Sequence, residues 1–163
     1  LIAFLSLGSN VGDRESYLKE ALGHINDIEE NRILKISSIY ETEPWGRKSQ
    51  RPFLNQVIEV ATRLTPEKLL TKCQAIEKNI GRVKKEEKRW GPRRIDIDIL
   101  IYDRYMIDND ELKIPHPCLR QRRFILVPLN EIARDFIIPG YGKSVQNALK
   151  ECRDGGRVEI FTA

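Results

Sequence analysis

In the stretch Arg93-Arg94-Ile95-Asp96-Ile97-Asp98-Ile99-Leu100-Ile101, isoleucine recurs at every second position from 95 to 101. Residues two apart on an extended strand point to the same side. Ile95, Ile97, Ile99 and Ile101 are therefore expected to face a core, and Asp96 and Asp98 to project together from the opposite face, with Cα atoms ~6.5–7 Å apart. Two carboxylates so placed repel each other unless a cation lies between them. Mg²⁺ takes such hard oxygen ligands, typically one or two carboxylates plus substrate phosphates. The alternative is a solvated strand face with two ordinary aspartates, although Asp is depleted in strands.

Immediately upstream come Lys84, Lys85, Lys88, Arg89, Trp90, Gly91, Pro92, Arg93 and Arg94. A charge run reads most simply as a solvated turn. This one leads straight into the carboxylate pair and contains a tryptophan, which is costly to expose. Its arginines offer forked donors suited to phosphate oxygens. A basic loop beside a metal-binding carboxylate pair is how a triphosphate would be held.

The strand at Ile95–Tyr102 is the last of six elements. Ile2 to Leu7 is an apolar run stopped by Gly8-Ser9-Asn10, as in a buried strand. Leu18, Ala21, Leu22, Ile25 and Ile28 recur at helical spacing behind Asp13, a suitable N-cap. Ile33 to Glu41 and Phe53 to Arg63 read as strands, separated by a loop from Glu43 to Pro52. Thr65-Pro66 announces a second helix with Leu69, Leu70, Cys73, Ile76 and Ile80 on its apolar stripe and Gly81 as its stop. Strand, helix, strand, strand, helix, strand is the split βαβ order: an α+β, ferredoxin-like sandwich, with an antiparallel sheet and helices on one face. A hairpin around Asp108-Asn109, a helix near Phe124 to Ala133, a short helix from Ser144 and a strand at Val158 to Phe161 are expected as decorations.

A chain of 163 residues is one ordinary domain. Its net charge of +4 favours anionic partners without choosing among them. Cys73, Cys118 and Cys152 are odd in number and form no C-x-x-C pair. That argues against a disulfide framework or structural zinc and fits a reducing, cytoplasmic setting. No apolar run approaches ~18 residues, so no membrane span is expected. Leu1 to Leu5 lacks the basic flank of a signal peptide and reads as a strand.

Arg89-Trp90-Gly91-Pro92-Arg93, followed after two residues by Asp96-Ile97-Asp98-Ile99-Leu100, closely resembles the signature of the 6-hydroxymethyl-7,8-dihydropterin pyrophosphokinases of folate biosynthesis. The resemblance extends over nearly the whole chain. Leu7-Gly8-Ser9-Asn10, Ser37-Ser38, Tyr40-Glu41-Thr42-Glu43-Pro44, Phe53-Leu54-Asn55, Gln74 with Glu77, Gly81-Arg82-Val83, Pro115-His116-Pro117 and Arg122-Arg123-Phe124 fall in the family's order and near its spacing.

The resemblance implies a single pyrophosphokinase domain over residues 1–163, with the ferredoxin-like fold reached above by pattern. It implies transfer of pyrophosphate from ATP to the pterin alcohol, with release of AMP. Asp96 and Asp98 would hold two Mg²⁺ ions, and Asp98 is the nearest guess for a base. Arg82, Lys84, Arg89 and Arg93 would neutralise phosphate charge, and Trp90 would help close a lid. Gln74, Glu77, His116 and Arg122 would line the ATP side, and Lys113 could supply charge there. Phe53 and Phe124 would stack on the pterin, with Asn55 and the Thr42 backbone at its polar edge and Pro44 nearby. The partners are two small molecules, with no nucleic acid and no membrane, and the protein is expected to be a monomer. The two loops, Glu43–Pro52 and Arg82–Gly91, are expected to close and exclude water.

Read without the resemblance, Phe53 and Phe124 are plain core aromatics, and Gln74 and Glu77 a solvated helix face. His116 sits between prolines, an unusual place for a core residue, and His24 reads as surface. The chain departs from better-known members in three places. Its basic loop is one residue longer, Glu111 and Lys113 stand where some members carry an arginine and a hydroxyl, and Phe53 replaces a common tyrosine. A functional alternative of another class is an RNA-binding ferredoxin-like module using its sheet face. The absence of a glycine–aromatic RNP string and the two aspartates on one strand speak against it.

Overall fold

Strand β1 (Ile2–Ser9) lies at the centre of the sheet, between β4 (Phe53–Thr62) and β5 (Asp96–Tyr102), and is antiparallel to both. The computed structural model describes residues 1–42, 51–81 and 94–162. Around β1 the sheet runs β5-β1-β4-β3-β8, with β3 at Tyr40–Thr42 and β8 at Val158–Ile160, while β2 (Asn31–Ile36) also pairs with β4. With β2 and β3 counted as one interrupted strand, this is the fourth-first-third-second order of the ferredoxin-like sandwich.

Helices α1 (Arg14–Asp27) and α2 (Pro66–Ile80) begin where the cap chemistry predicts. The Asp13 carboxylate accepts from the Ser16 N–H at 3.1 Å, and the Thr65 hydroxyl accepts from the Lys68 N–H at 3.3 Å. Each satisfies a backbone donor that the first helical turn leaves without a partner. The Gly81 N–H closes α2 on the Glu77 carbonyl at 2.9 Å. The apolar stripes of both helices pack on Ala3, Leu5, Leu7, Leu54, Ile58, Ile95, Ile97 and Ile99, forming one core.

The second sheet face is also covered, which the expectation of helices on one face missed. Helices α3 (Arg123–Ala133) and α4 (Val145–Glu151) place Ile125, Leu126, Leu129 and Val145 over Phe4, Val57 and Ile101. The C-terminal elements are therefore a third layer with its own core. The hairpin β6 (Ile107–Asp108) and β7 (Lys113–Ile114) forms where Asp108-Asn109 predicts it.

Two local irregularities depart from the sequence reading. Between Phe4 and Leu5 the register with β5 shifts: Phe4 opposes Ile101, Leu5 opposes Ile99, and Leu100 is the extra residue. A bulge inverts the alternation beyond it, so Ile101 joins the second core rather than the one holding Ile95, Ile97 and Ile99.

The strand expected from Ile33 to Glu41 is broken at Ser37–Ile39. The Ser37 hydroxyl accepts from the Val57 N–H at 2.9 Å, taking a ladder position that a backbone carbonyl would otherwise fill. Ser38 turns out to α3, where its N–H and hydroxyl both donate to Glu131. The Tyr40 hydroxyl donates to the same carboxylate at 2.5 Å. Burial, then this hydrogen bond, pushes the Tyr40 phenol up to about 12.

Candidate active site

Directly opposed residues in a sheet share a face. Asn55 opposes Tyr40 on one side and Gly8 on the other, and Gly8 opposes Asp96. One row across four strands thus reads Tyr40, Asn55, Gly8, Asp96. The neighbouring row reads Val57, Ser6, Asp98. Beyond the second core, then, this face changes from apolar to polar, and both aspartates stand on it as the alternation predicts. Asp98 is exposed and Asp96 half-buried. Strands lie ~4.8 Å apart, so Asn55 and Asp96 are separated by roughly 10 Å with a glycine between them.

Gly8 is the site residue that the sequence reading quoted but gave no role. A Cβ there would stand 2.9 Å from the Asn55 Oδ1 and 3.5 Å from the Phe53 ring. The missing side chain leaves the floor between amide and carboxylate open. Its signal was a glycine ending an apolar strand, where close approach of another group is a usual reason. Gly8→Ala is expected to displace Asn55, destabilising the fold by about 1–3 kcal/mol and weakening binding at the Asn55 end. Denaturant melts paired with ligand titration check both effects.

Asn55 is 4% exposed, and its Nδ2 donates to the Thr42 hydroxyl at 2.5 Å. Thr42 therefore orients Asn55 through its side chain, a contact beyond the backbone role expected of it. Phe53 opposes Thr42 and is half-buried. Phe124, in the first turn of α3, packs against the second core with the Arg122 guanidinium 5.7 Å from its ring centroid. Both rings thus belong to the same side of the sheet.

Glu77 is half-buried rather than part of a solvated face. Its carboxylate accepts from the Ile97 N–H at 2.9 Å, holding the edge strand midway between the two aspartates. Gln74 is exposed one turn earlier. Cys73, on the buried side of α2, has its thiol pushed up to about 12 by burial, with the Glu77 and Asp98 carboxylates adding to the effect. A thiol so protonated is inert.

His116 reaches the site because its N–H donates to the Leu100 carbonyl at 2.8 Å, beside the bulge. Its Nδ1 accepts from the Cys118 N–H at 3.1 Å, so the neutral ring carries its proton on Nε2. Burial lowers the His116 pKa, against an upward pull from Asp98 and with a further lowering by Arg122. Asp98 and Arg122 are thus each an electrostatic neighbour of His116. Lys113, on β7, pairs with Asp108 at 2.7 Å on the exposed hairpin. Arg82, Lys84, Arg89, Trp90, Arg93 and Pro44 lie outside the described residues.

Residues 4–134 match the family model for 7,8-dihydro-6-hydroxymethylpterin-pyrophosphokinase (HPPK). The chain belongs to the HPPK family. It is 43% identical over 159 residues to a 2-amino-4-hydroxy-6-hydroxymethyldihydropteridine pyrophosphokinase of Methylorubrum extorquens, covering 96% of this chain and 98% of that one. It is 45% identical over 133 residues to the protein of that name from Bacillus subtilis, covering 82% and 78%. Among solved structures, a Plasmodium falciparum HPPK-DHPS triple mutant superposes with a TM-score of 0.73 at 17% identity, over 92% of this chain. The chain spans only 43% of that protein, and the likeness speaks to fold alone.

For an HPPK domain, the two rows divide the open sheet face into a carboxylate end and an amide-and-aromatic end. Family membership selects the enzyme over the RNA-binding alternative. Among the described residues no helix is long and apolar enough to cross a membrane.

Proposed function

We propose that this chain transfers the pyrophosphoryl group of ATP to the hydroxymethyl oxygen of 6-hydroxymethyl-7,8-dihydropterin in folate biosynthesis, using two Mg²⁺ ions held at Asp96 and Asp98. The observation that carries this reading is the row Asn55–Gly8–Asp96 in a member of the HPPK family. It sets a fixed amide for a heterocycle's polar edge roughly two strand spacings from a carboxylate pair, ~10 Å.

The donor set fits the metal. Asp96 and Asp98 share a face. Two carboxylates suit a cation that keeps phosphate and water as its other ligands. Bound there, Mg²⁺ supplies neutralisation of the triphosphate and a lower pKa for the alcohol.

The chain's own residues align the reactants. Phe53 and Phe124 hold the faces of the pterin, and Asn55, oriented by Thr42, fixes its edge. The hydroxymethyl oxygen then points across Gly8 toward the aspartates. Its bond to the β-phosphorus forms as the bond from that phosphorus to the oxygen bridging the α-phosphate breaks, and AMP leaves with that oxygen. The alcohol proton passes to water, Asp98 being the sequence reading's guess for a base. His116 offers an Nε2–H and Arg122 a guanidinium to the phosphates, consistent with the electrostatic effect of both Asp98 and Arg122 on the His116 ring. Gln74 and Glu77 border the nucleotide, Lys113 contributes charge, and the roles of Arg82, Lys84, Arg89, Trp90, Arg93 and Pro44 rest on the family resemblance. Such chemistry depends on alignment and charge neutralisation more than on covalent help. Residues 1–163 are proposed to act as one domain and as a monomer.

The test is product analysis with ATP, Mg²⁺ and the reduced pterin alcohol. AMP should appear one-for-one with pterin diphosphate and only when the alcohol is present. ADP as the nucleotide product, or AMP release independent of the alcohol, would overturn the proposal.

A further inference from the structure

Arg14 opens helix α1, where the helix dipole disfavours a cation, and its side chain is only 10% exposed. Its Nη1 donates to the Glu41 carboxylate at 3.0 Å and to the Pro52 carbonyl at 2.8 Å. Its guanidinium carbon stands 5.7 Å from the centroid of the Phe161 ring. The two hydrogen-bonded residues are far from Arg14 in sequence and immediately precede Thr42 and Phe53. Those two oppose each other across β3 and β4 at the amide-and-aromatic end of the site.

The turn before α1 reinforces the same junction. The Arg51 guanidinium donates to the Gly12 carbonyl at 2.9 Å, and the Asn10 side-chain amide donates to the Arg51 carbonyl at 3.3 Å. Gly12 has φ of 64°, a left-handed conformation that disfavours other residues, and a Cβ there would meet the Tyr17 ring at 3.0 Å. The β1–α1 turn is thus shaped to present its carbonyl and the Arg14 side chain to residues 51 and 52.

We infer that Arg14 is a positioning residue for the pterin end of the site: by clasping Glu41 and Pro52 it sets the placement of Thr42 and Phe53, and through Thr42 the orientation of Asn55. This rests on the reading of that end as the pterin site. Arg14 itself touches neither Asn55 nor the aspartates in the contacts described, so its effect runs through the two strand ends. A charged nitrogen with two N–H groups suits the task, because Nη1 alone bonds a carboxylate and a carbonyl at once. Lysine keeps the charge but lacks the planar guanidinium that stands by the Phe161 ring and holds Nη1 in place.

The experiment measures steady-state kinetics for the pterin alcohol, separate affinity for an ATP analogue, and thermal melting, in the wild type, Arg14→Ala and Arg14→Lys. The expected result is a KM for the pterin raised about tenfold in Arg14→Ala and about threefold in Arg14→Lys, with ATP-analogue affinity within twofold of wild type. A merely structural role would lower the melting temperature and the active fraction without moving the KM. If Arg14→Ala does not fold, the lysine variant decides alone. A pterin KM unchanged in a folded variant, or pterin and ATP affinities falling together, overturns the inference. Failure of the wild type itself to use the pterin alcohol would instead overturn the functional reading on which it rests.

Discussion

Asp98→Ala, and separately Asp96→Ala, are expected to reduce turnover by at least a hundred- to thousandfold, the cost of removing one preorganised electrostatic partner of a transition state being about 2.7–4 kcal/mol. The fold is expected to survive. Asp98 is exposed and Asp96 half-buried, and the strand that carries them is held by Ile95, Ile97 and Ile99 in one core and Ile101 in the other. Removing either carboxylate also relieves the repulsion between the two. For the exposed Asp98, melting should therefore shift by no more than the ~0.5 kcal/mol typical of surface positions. The measurement is AMP release over a range of Mg²⁺ concentrations, together with denaturant melts. Near-native turnover in either variant at ordinary Mg²⁺ concentration would refute the assignment of the metal site.

Asn55→Ala is expected to act at the other end of the row. A heterocycle edge bound to a buried amide loses about 1–3 kcal/mol when the partner is removed, which is roughly ten- to a hundredfold in affinity. ATP-analogue affinity should stay nearly unchanged, because Asn55 stands roughly 10 Å from Asp96 across Gly8. The substitution also strands the hydroxyl of Thr42, a residue only 1% exposed, so a stability loss should accompany the binding loss. Phe124→Ala separates the two effects: it removes a stacking surface without touching the Thr42 bond. It should also weaken pterin binding while sparing ATP. Titrating each variant with the pterin alcohol and with an ATP analogue decides the matter. A collapse of ATP affinity with pterin affinity intact would mean that the two ends are reversed.

Much of this molecule is written in local chemistry. Asp13 and Thr65 cap their helices because a short side-chain oxygen before a helical stripe can reach an orphan N–H whatever the rest of the chain does. Asp96 and Asp98 share a face because alternation is a property of any extended strand. The break at Ser37, by contrast, depends on Val57 standing opposite to donate to its hydroxyl, and on Glu131, more than ninety residues away, receiving Ser38. Arg14 carries no local signal, because its partners, Glu41 and Pro52, are distant in sequence.

The sequence by itself determined the element order, the helix caps, the pairing of the two carboxylates on one strand face and, through its long motif, the family. These depend on neighbours within a few residues, where covalent geometry dictates which side chains share a side. Tertiary structure alone decided that the C-terminal helices form a second core, that the bulge at Leu100 sends Ile101 to the opposite face, and that Asn55, Gly8 and Asp96 fall into one row. A row across strands is set by register and strand order. Both arise from cooperative packing of distant segments, and a one-residue shift in register would move a side chain to the other face of the sheet.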